Sequence, residues 1–563
     1  MNNLRVFLWL ALAMILYVNY DMWTRDYASA APTAAAPSAA ASPAFTDDAP
    51  TAASNTAATG ATPDANPALP SAPSDGPEAA AAAETITVTT DVLRLKIALR
   101  GGELVQADIL EYPKVKNDPS VPVQLLRRNG ARDTYVLQTG LAADAAGGDR
   151  PTHQALFTSP LREIQLSATD DMLKLPLTWT SADGLVSVTK IYTLTRGQYR
   201  IDVDYMVRNN SPQPWRYASY VRVLQDLPPV ETSYFKVESY AFQGPAMWDG
   251  EKYSKLALDD EDTATLNRSV THGWMAALQH HFVSAHVPPA TQPYQYSLRT
   301  DGQQYVSMTM SPTATVAPGA TATQSEVLFV GPKLQAQLET LHEELPRAAD
   351  YGKLTIIAKP LFILLQWVHD VVGNWGWTIV LVTLILKLLF YPLSEASGKS
   401  MAKMRQLQPR IQAMQEQYKD NKEQLGKAMM ELYKRESINP AAGCLPMLIQ
   451  LPVFLAFYWV LLESVEMRQA PFFGWIQDLS SRDPFFILPI IMAGAMFLQY
   501  KLNPKPTDEI QAKVFMILPL VMSVTFAFFP AGLVLYWVTN TVLSIAQQWN
   551  INRRIEAQAA ARR

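Results

Sequence analysis

The chain has a single cysteine, Cys444, in 563 residues. That excludes an intramolecular disulfide framework and any multi-cysteine metal site. No P-loop, GxSxG or HExxH motif occurs, so the usual signatures of nucleotide-driven work, serine hydrolysis and zinc proteolysis are missing. Histidines number seven. His280, His281 and His286 sit together near Trp274, and structural or surface roles are the default for such residues. The 47 Lys and Arg nearly balance the 51 Asp and Glu, which gives no reason to expect direct reading of nucleic acid. These residues point to no catalytic group, metal or cofactor.

Basic residues are absent from the whole stretch between Arg25 and Arg94. Residues 28–83 are almost entirely Ala, Pro, Thr, Ser and Asp. Such a segment cannot bury enough apolar surface to offset its chain entropy, and it reads as a disordered tether. Charge is split by position. Residues 21–353 hold 26 Lys and Arg against 37 Asp and Glu, whereas 354–563 hold 20 against 14. A mean hydropathy of −0.01 therefore averages unlike parts, and the opposite charge balances suggest two compartments.

What is present is a set of long uncharged runs. Residues 4–20 are apolar apart from Arg5 and Asn19. Ala28-Ser29-Ala30 resembles a signal cleavage site. The intervening segment carries three charges, Trp23 and Tyr27, which favours an uncleaved anchor over 1–27. Further runs cover about 375–393, 443–462, 484–500 and 514–550. The last exceeds one span of about 20 residues and is interrupted at Pro530 and Gly532. Six spans result: the anchor, a second within 373–393, and four within 443–550. Basic residues concentrate in 394–442, 502–513 and the tail 551–563, which places both termini in the cytoplasm. The acidic part then lies outside. Several runs are short for a hydrocarbon core of about 30 Å; local thinning and uncertain boundaries both account for that.

Residues 84–346 read differently. Ile86 and Val88, then Leu93, Leu95 and Ile97, then Ile201, Val203, Tyr205 and Val207 alternate with polar or small residues, the pattern of half-buried strands. One large β-sandwich is expected. Leu334, Leu338, Leu341 and Leu345 predict a closing helix, and 347–372 an amphipathic helix lying along the outer leaflet. In 394–442, Met401, Met404, Leu407, Ile411, Met414 and Tyr418 precede a polar turn at 419–422. Leu425, Met429 and Leu432 follow it. This predicts a helical hairpin kinked at Pro409. Its Met-rich seam suits either internal packing or contact with varied apolar partners.

The runs 375–393, 443–462, 484–500 and 514–550 contain no Asp or Glu, and Lys387 stands alone as a cation inside 373–393. An intramembrane charge costs a few kcal/mol and faces protein, water or, by snorkelling, the interface. Thr383 lies one turn earlier. Tyr536, Asn540, Ser544 and Gln547 share a face of the last run. Gln450, Gln499, Ser523 and Thr525 add polar groups. Such groups join helices or line a hydrated groove. A proton pump would want an intramembrane carboxylate.

The stretch 439–452 (NPAAGCLPMLIQLP), with 400–418 (SMAKMRQLQPRIQAMQEQY), 465–480 (VEMRQAPFFGWIQDLS) and 529–540 (FPAGLVLYWVTN), closely resembles the YidC/Oxa/Alb membrane protein insertase family. The anchor and β-rich region are similar to the Gram-negative type. The resemblance implies a polytopic α-helical membrane protein of six spans. A five-helix insertase core, a periplasmic all-β super-sandwich and a cytoplasmic hairpin would be its parts. It implies a hydrophilic groove with Lys387 where bacterial members usually carry Arg. It assigns Thr383, Leu451, Phe454, Tyr536 and Trp537 to groove-lining or substrate-contact positions, beside Gln450, Thr525 and Asn540. It assigns substrate capture to the hairpin, with Met401, Met404, Met414 and Met429. Implied partners are nascent membrane proteins, the Sec translocon with its accessory subunits, the lipid bilayer and, weakly, the ribosome through cytoplasmic loops and tail. The implied location is the bacterial inner membrane, and no enzymatic activity or cofactor is implied. A channel or transporter using the same groove stays open as an alternative. So does a periplasmic sugar enzyme, because super-sandwiches also occur in mutarotases.

Overall fold

The computed structural model describes residues 84–561, apart from 117, 131, 144–149, 228–240, 259, 261–262, 264, 303, 350, 419–420, 437–444 and 503–508. The expected anchor and tether lie outside the described residues. The rest forms two compact units, one within 84–349 and one within 351–561.

The first unit is built from two large sheets of eleven and eight strands. Pairing is antiparallel throughout, except where Thr85–Thr89 lies parallel to Glu163–Gln165. Alternation decides which side chains are buried. Ile86, Val88, Leu93, Leu95, Ile97, Ile201, Val203, Tyr205 and Val207 all have no exposed surface, while their neighbours along the strands are more accessible. Strand Thr134–Ala143 is buried at every position. Residues of both sheets contribute to a single apolar core.

One inward position is not apolar. In Val186–Thr195 the buried residues are Val186, Val188, Lys190, Tyr192 and Leu194. The Lys190 amine donates to Gly101 O at 2.8 Å, Thr139 O at 3.1 Å and Gly102 O at 3.4 Å. Its three N–H donors thus have three carbonyl acceptors. Burial pushes its pKa well below the usual lysine value, with Glu103 opposing the shift. Gly102 has φ +62°, and a Cβ there would meet the amine at 2.9 Å. This turn therefore needs glycine both for backbone and for space.

The closing segment is shorter than its leucine spacing suggests. Helix α1 spans Gln335–Leu341, and a separate 3-10 turn covers Leu345–Ala348. Pro346 stands in the first turn of that second element, where its missing N–H costs nothing. Leu338 and Leu345 are both fully buried in the sheet core.

The second unit is helical: α2 Thr355–Val372, α3 Trp375–Leu389, α4 Tyr391–Gln417, α5 Lys422–Arg435, α6 Leu445–Glu463, α7 Ile487–Leu502, α8 Glu509–Phe526 and α9 Ala531–Ala561. Helix α2 packs on α3 and α6 through Ala358, Leu361, Phe362, Leu365 and Val368. Its other face is apolar too, with Ile356, Ile363, Trp367 and Val371 exposed. That face also carries exposed Lys359 and Asp370, so apolar and charged side chains share it.

Asn374 caps α3, its side chain accepting from Trp377 N at 3.1 Å. The helix stops at Phe390, and α4 starts at once with Pro392 in its first turn, at a bend of 63°. Proline terminates one helix here and opens the next. Pro409, in contrast, stands inside α4 without breaking it, so the expected kink divides nothing. Helices α4 and α5 pack through Leu407, Ile411 and Leu432. Helix α9 runs well past residue 550, so most of the expected tail is helical. Its last eleven residues, INRRIEAQAAA, lack Gly and Pro and are rich in Ala, Arg, Glu and Gln, all good helix formers.

Among the described residues, α2 is the one helix long and apolar enough to cross a bilayer alone. Helix α3 with the start of α4 makes a second, bent stretch, and the apolar parts of α6, α7 and α8 are shorter. The 15 residues of α3 rise only about 22 Å. Its Ile379 and Val382 belong to the same apolar core as Ala456, Phe457 and Val460 of α6 and Leu533, Val534 and Tyr536 of α9.

Candidate functional site

A small, partly open cleft lies between α3, α4, α6 and α9. Thr383, Leu386 and Lys387 come from α3, with Phe390 at the bend and Leu393 and Ser394 from α4. Gln450 and Val453 come from α6, and Tyr536 and Asn540 from α9. Helical spacing explains these sets: 383 and 387, 450 and 453, 536 and 540 are each three or four apart, on one face.

Lys387 is the cleft's cation. Its amine donates to Ser544 Oγ at 2.8 Å. Ser544 in turn donates to Asn540 O at 2.7 Å, and Gln450 Nε2 donates to Asn540 Oδ1. No carboxylate is among the residues lining the cleft. The Thr383 hydroxyl is committed to Ile379 O at 2.6 Å, so it presents mainly its oxygen lone pairs and methyl group. An ammonium with one hydroxyl partner in a partly enclosed space retains capacity for further acceptors.

An aromatic cluster adjoins the cleft through Tyr536. Tyr536 stacks on Phe457 at 4.3 Å, and Phe454 meets Trp537 edge-on at 4.7 Å. Phe526 lies 5.1 Å from both Trp537 and Phe529.

Both parts of the chain match known families. Residues 85–364 match the YidC periplasmic domain, and 367–558 match the 60Kd inner membrane protein family. A protein of Thioalkalivibrio sulfidiphilus named membrane protein insertase YidC is 46% identical, over 99% of both chains. One of Pseudomonas fluorescens with the same name is 44% identical, again over 99% of both.

The chain belongs to the YidC family.

A crystal structure of an active YidC insertase aligns at 20% identity, covering 82% of this chain and 92% of that one with a TM-score of 0.36. The cleft falls in the part matched to the 60Kd inner membrane protein family. Of the residues singled out from the YidC resemblance and the polar pattern, Lys387, Thr383, Gln450, Tyr536 and Asn540 line it together. Phe454 and Trp537 do not line it; they belong to the aromatic cluster beside Tyr536. Leu451 and Thr525 do not line it. Leu451 is exposed, and Thr525 is exposed with its hydroxyl on Val521 O at 3.0 Å of its own helix. Leu451 follows Gln450 by one residue, a rotation of about 100°, so the two cannot share a face.

Met404, Met414 and Met429 pack against Leu407, Ile411 and Leu432 in the seam between α4 and α5. Met401 lies in α4 with its side chain outside the description, and Met430 is the exposed methionine of α5. Sequence reasoning missed Leu386, Phe390, Leu393, Ser394 and Val453. The α4 pair enters the cleft because of the bend at Phe390, which periodicity within one run does not reveal.

In the β unit, His286 sits between Thr309 Oγ1 at 2.5 Å and Glu326 Oε2 at 2.8 Å. All three are buried, so this acid–base row is shut off from substrate. His280 stacks on His281 at 3.8 Å. No cluster of three or more metal-ligating side chains exists among the described residues.

Proposed function

We propose that this chain inserts and helps fold integral proteins of the bacterial inner membrane. Its YidC relatives bear the name of that activity over essentially their whole length. The observation that carries the site assignment is Lys387, an intramembrane cation beside Gln450 and Asn540 in a cleft with no lining carboxylate.

The mechanism uses no nucleotide. The ammonium attracts the acidic or polar part of an incoming chain, and low local dielectric strengthens that attraction. Gln450, Asn540 and Tyr536 offer hydrogen bonds that replace lost water. Short helices reduce the hydrophobic distance the polar part must cross. The client's apolar segment then moves along α6 and α8 into lipid. In this reading the anchor 1–27 and five further spans cross the membrane, with both termini cytoplasmic. Residues 28–83 form a periplasmic tether and 84–346 the periplasmic domain. Residues 347–372 lie at the outer interface, 373–393 cross, 394–442 form a cytoplasmic hairpin, 443–550 supply four spans, and 551–563 end in the cytoplasm. The hairpin receives clients, with the Sec translocon and the ribosome as working partners.

The test combines depletion of the native insertase with complementation by this chain, and photo-crosslinkers at Thr383, Phe454 and Tyr536. Crosslinks from all three sites to a nascent membrane protein are expected. Crosslinks to none of them, with insertion intact, overturn the groove assignment.

A further inference from the structure

Lys387 lies inside α3 on a flexible four-carbon stem, and Pro392 marks the helix boundary five residues on. About 8 Å of rise separates them, a distance a lysine can cover by snorkelling to interfacial water. The amine does not take that course. It turns across to α9 and donates to Ser544 Oγ at 2.8 Å. Ser544 cannot rotate freely, because its own hydrogen is held by Asn540 O at 2.7 Å. Its lone pairs are thereby aimed at Lys387. Asn540 is itself fixed from α6 by Gln450 Nε2. One hydrogen-bonded row thus joins three helices and ends on the cation.

We propose that Ser544 is a positioning residue that tethers the Lys387 ammonium inside the cleft and prevents it from snorkelling out. The inference rests on the reading that Lys387 meets the client. Without the hydroxyl, the cleft offers Lys387 no acceptor as well placed, while the interface offers water. The cation then leaves, and acidic clients lose their partner. Neutral clients, which do not depend on the charge, are spared. Ser544 therefore sets selectivity by charge rather than overall activity. Arginine at position 387 should need the tether less. Its guanidinium is always protonated and spreads five donors over a rigid fork.

The experiment uses the full-length chain in proteoliposomes. Two clients are compared, identical except for two Asp or two Asn in the translocated segment. Ser544→Ala should lower insertion of the acidic client about tenfold, the order set by one hydrogen bond to a charged group, and the neutral client less than twofold. Labelling of Lys387 by a membrane-impermeant amine reagent, read by peptide mass spectrometry, should rise. Ser544→Thr should match the parent. Lys387→Arg combined with Ser544→Ala should recover the acidic client. Ser544→Cys, similar in size and a weak acceptor, serves if the alanine variant does not accumulate. Equal loss for both clients, unchanged labelling, or no recovery with arginine overturns the tether. If Ser544→Ala is silent while Lys387→Glu still blocks the acidic client, only the tether falls. If Lys387→Glu inserts both clients normally, the functional reading falls with it.

Discussion

Lys190 in the β unit is fully buried and Lys387 in the helical unit half-buried, and their amines keep different company. Lys190 has no exposed surface, and three backbone carbonyls of two separate segments meet its three donors. Lys387 has one hydroxyl partner and lines an open cleft. The first cation is saturated by main chain that cannot leave. The second keeps unfilled hydrogen-bonding capacity at a place where something can arrive. Burial alone therefore does not mark a functional charge. Incomplete coordination beside accessible space is what distinguishes the residue proposed to meet the client.

Breaking each lysine separates the two roles. The largest effect is expected from Lys190→Ala, which strands three buried carbonyls and opens a cavity. The cost is about 3–5 kcal/mol of β-unit stability. Urea-dependent proteolysis of the full chain, read on fragments from 84–349, measures it. A loss below about 1 kcal/mol would mean that Lys190 is dispensable and the contrast is misplaced. Lys387→Glu comes next. It should reduce insertion of small clients with acidic translocated segments about tenfold or more, leaving the β-unit transition unchanged, as followed by pulse-labelled insertion and the same proteolysis. Normal insertion would remove the cleft's claim.

A smaller effect concerns pH. The folded pKa of Lys190 is depressed below the ordinary 10.5. Below the depressed value both states hold the proton; between the two values only the unfolded chain does. Stability of the β unit should therefore rise with pH across that window. The rise is measured as wild type minus Lys190→Met, kept below pH 10 so that tyrosines do not ionise on unfolding. A flat difference would show that the amine stays charged in its carbonyl cage. The smallest effect is Lys387→Arg, expected to keep insertion within about twofold, since the charge is retained.

Much of this was readable in advance, and the failures have physical causes. Period-two alternation located Ile86, Leu93 and Ile201 in the sheet core because each strand buries one face. The same alternation puts Lys190 in phase with Val188 and Tyr192, a signal that went unused because lysine is expected outside. In the cleft, i to i+4 spacing found Tyr536 and Asn540 on one helix and Thr383 and Lys387 on another. Leu451, named by the resemblance, and Thr525, named by its polar side chain, lie outside the cleft, because helix rotation decides which face each occupies. Ser394 and Leu393 were hidden by the 63° bend. The hairpin methionines show the opposite case. Their spacing was clear, and the structure spends Met404, Met414 and Met429 on internal packing.

Helix α9 is about 46 Å long over its 31 residues. At its start, Ala531 N and Gly532 N donate to Ser481 O and Leu479 O, at 2.7 and 2.9 Å. Near its far end, Ile551 is buried beside Gly398 of α4, where a Cβ would sit 3.1 Å from the isoleucine side chain. The helix is thus held at two places, with Asn540 and Ser544 between them. Turning either end by one residue's pitch swings both groups about 100° away from Lys387. The contacts at both ends therefore serve the cleft although none of them lies in it: they hold the rotation that keeps Ser544 facing Lys387.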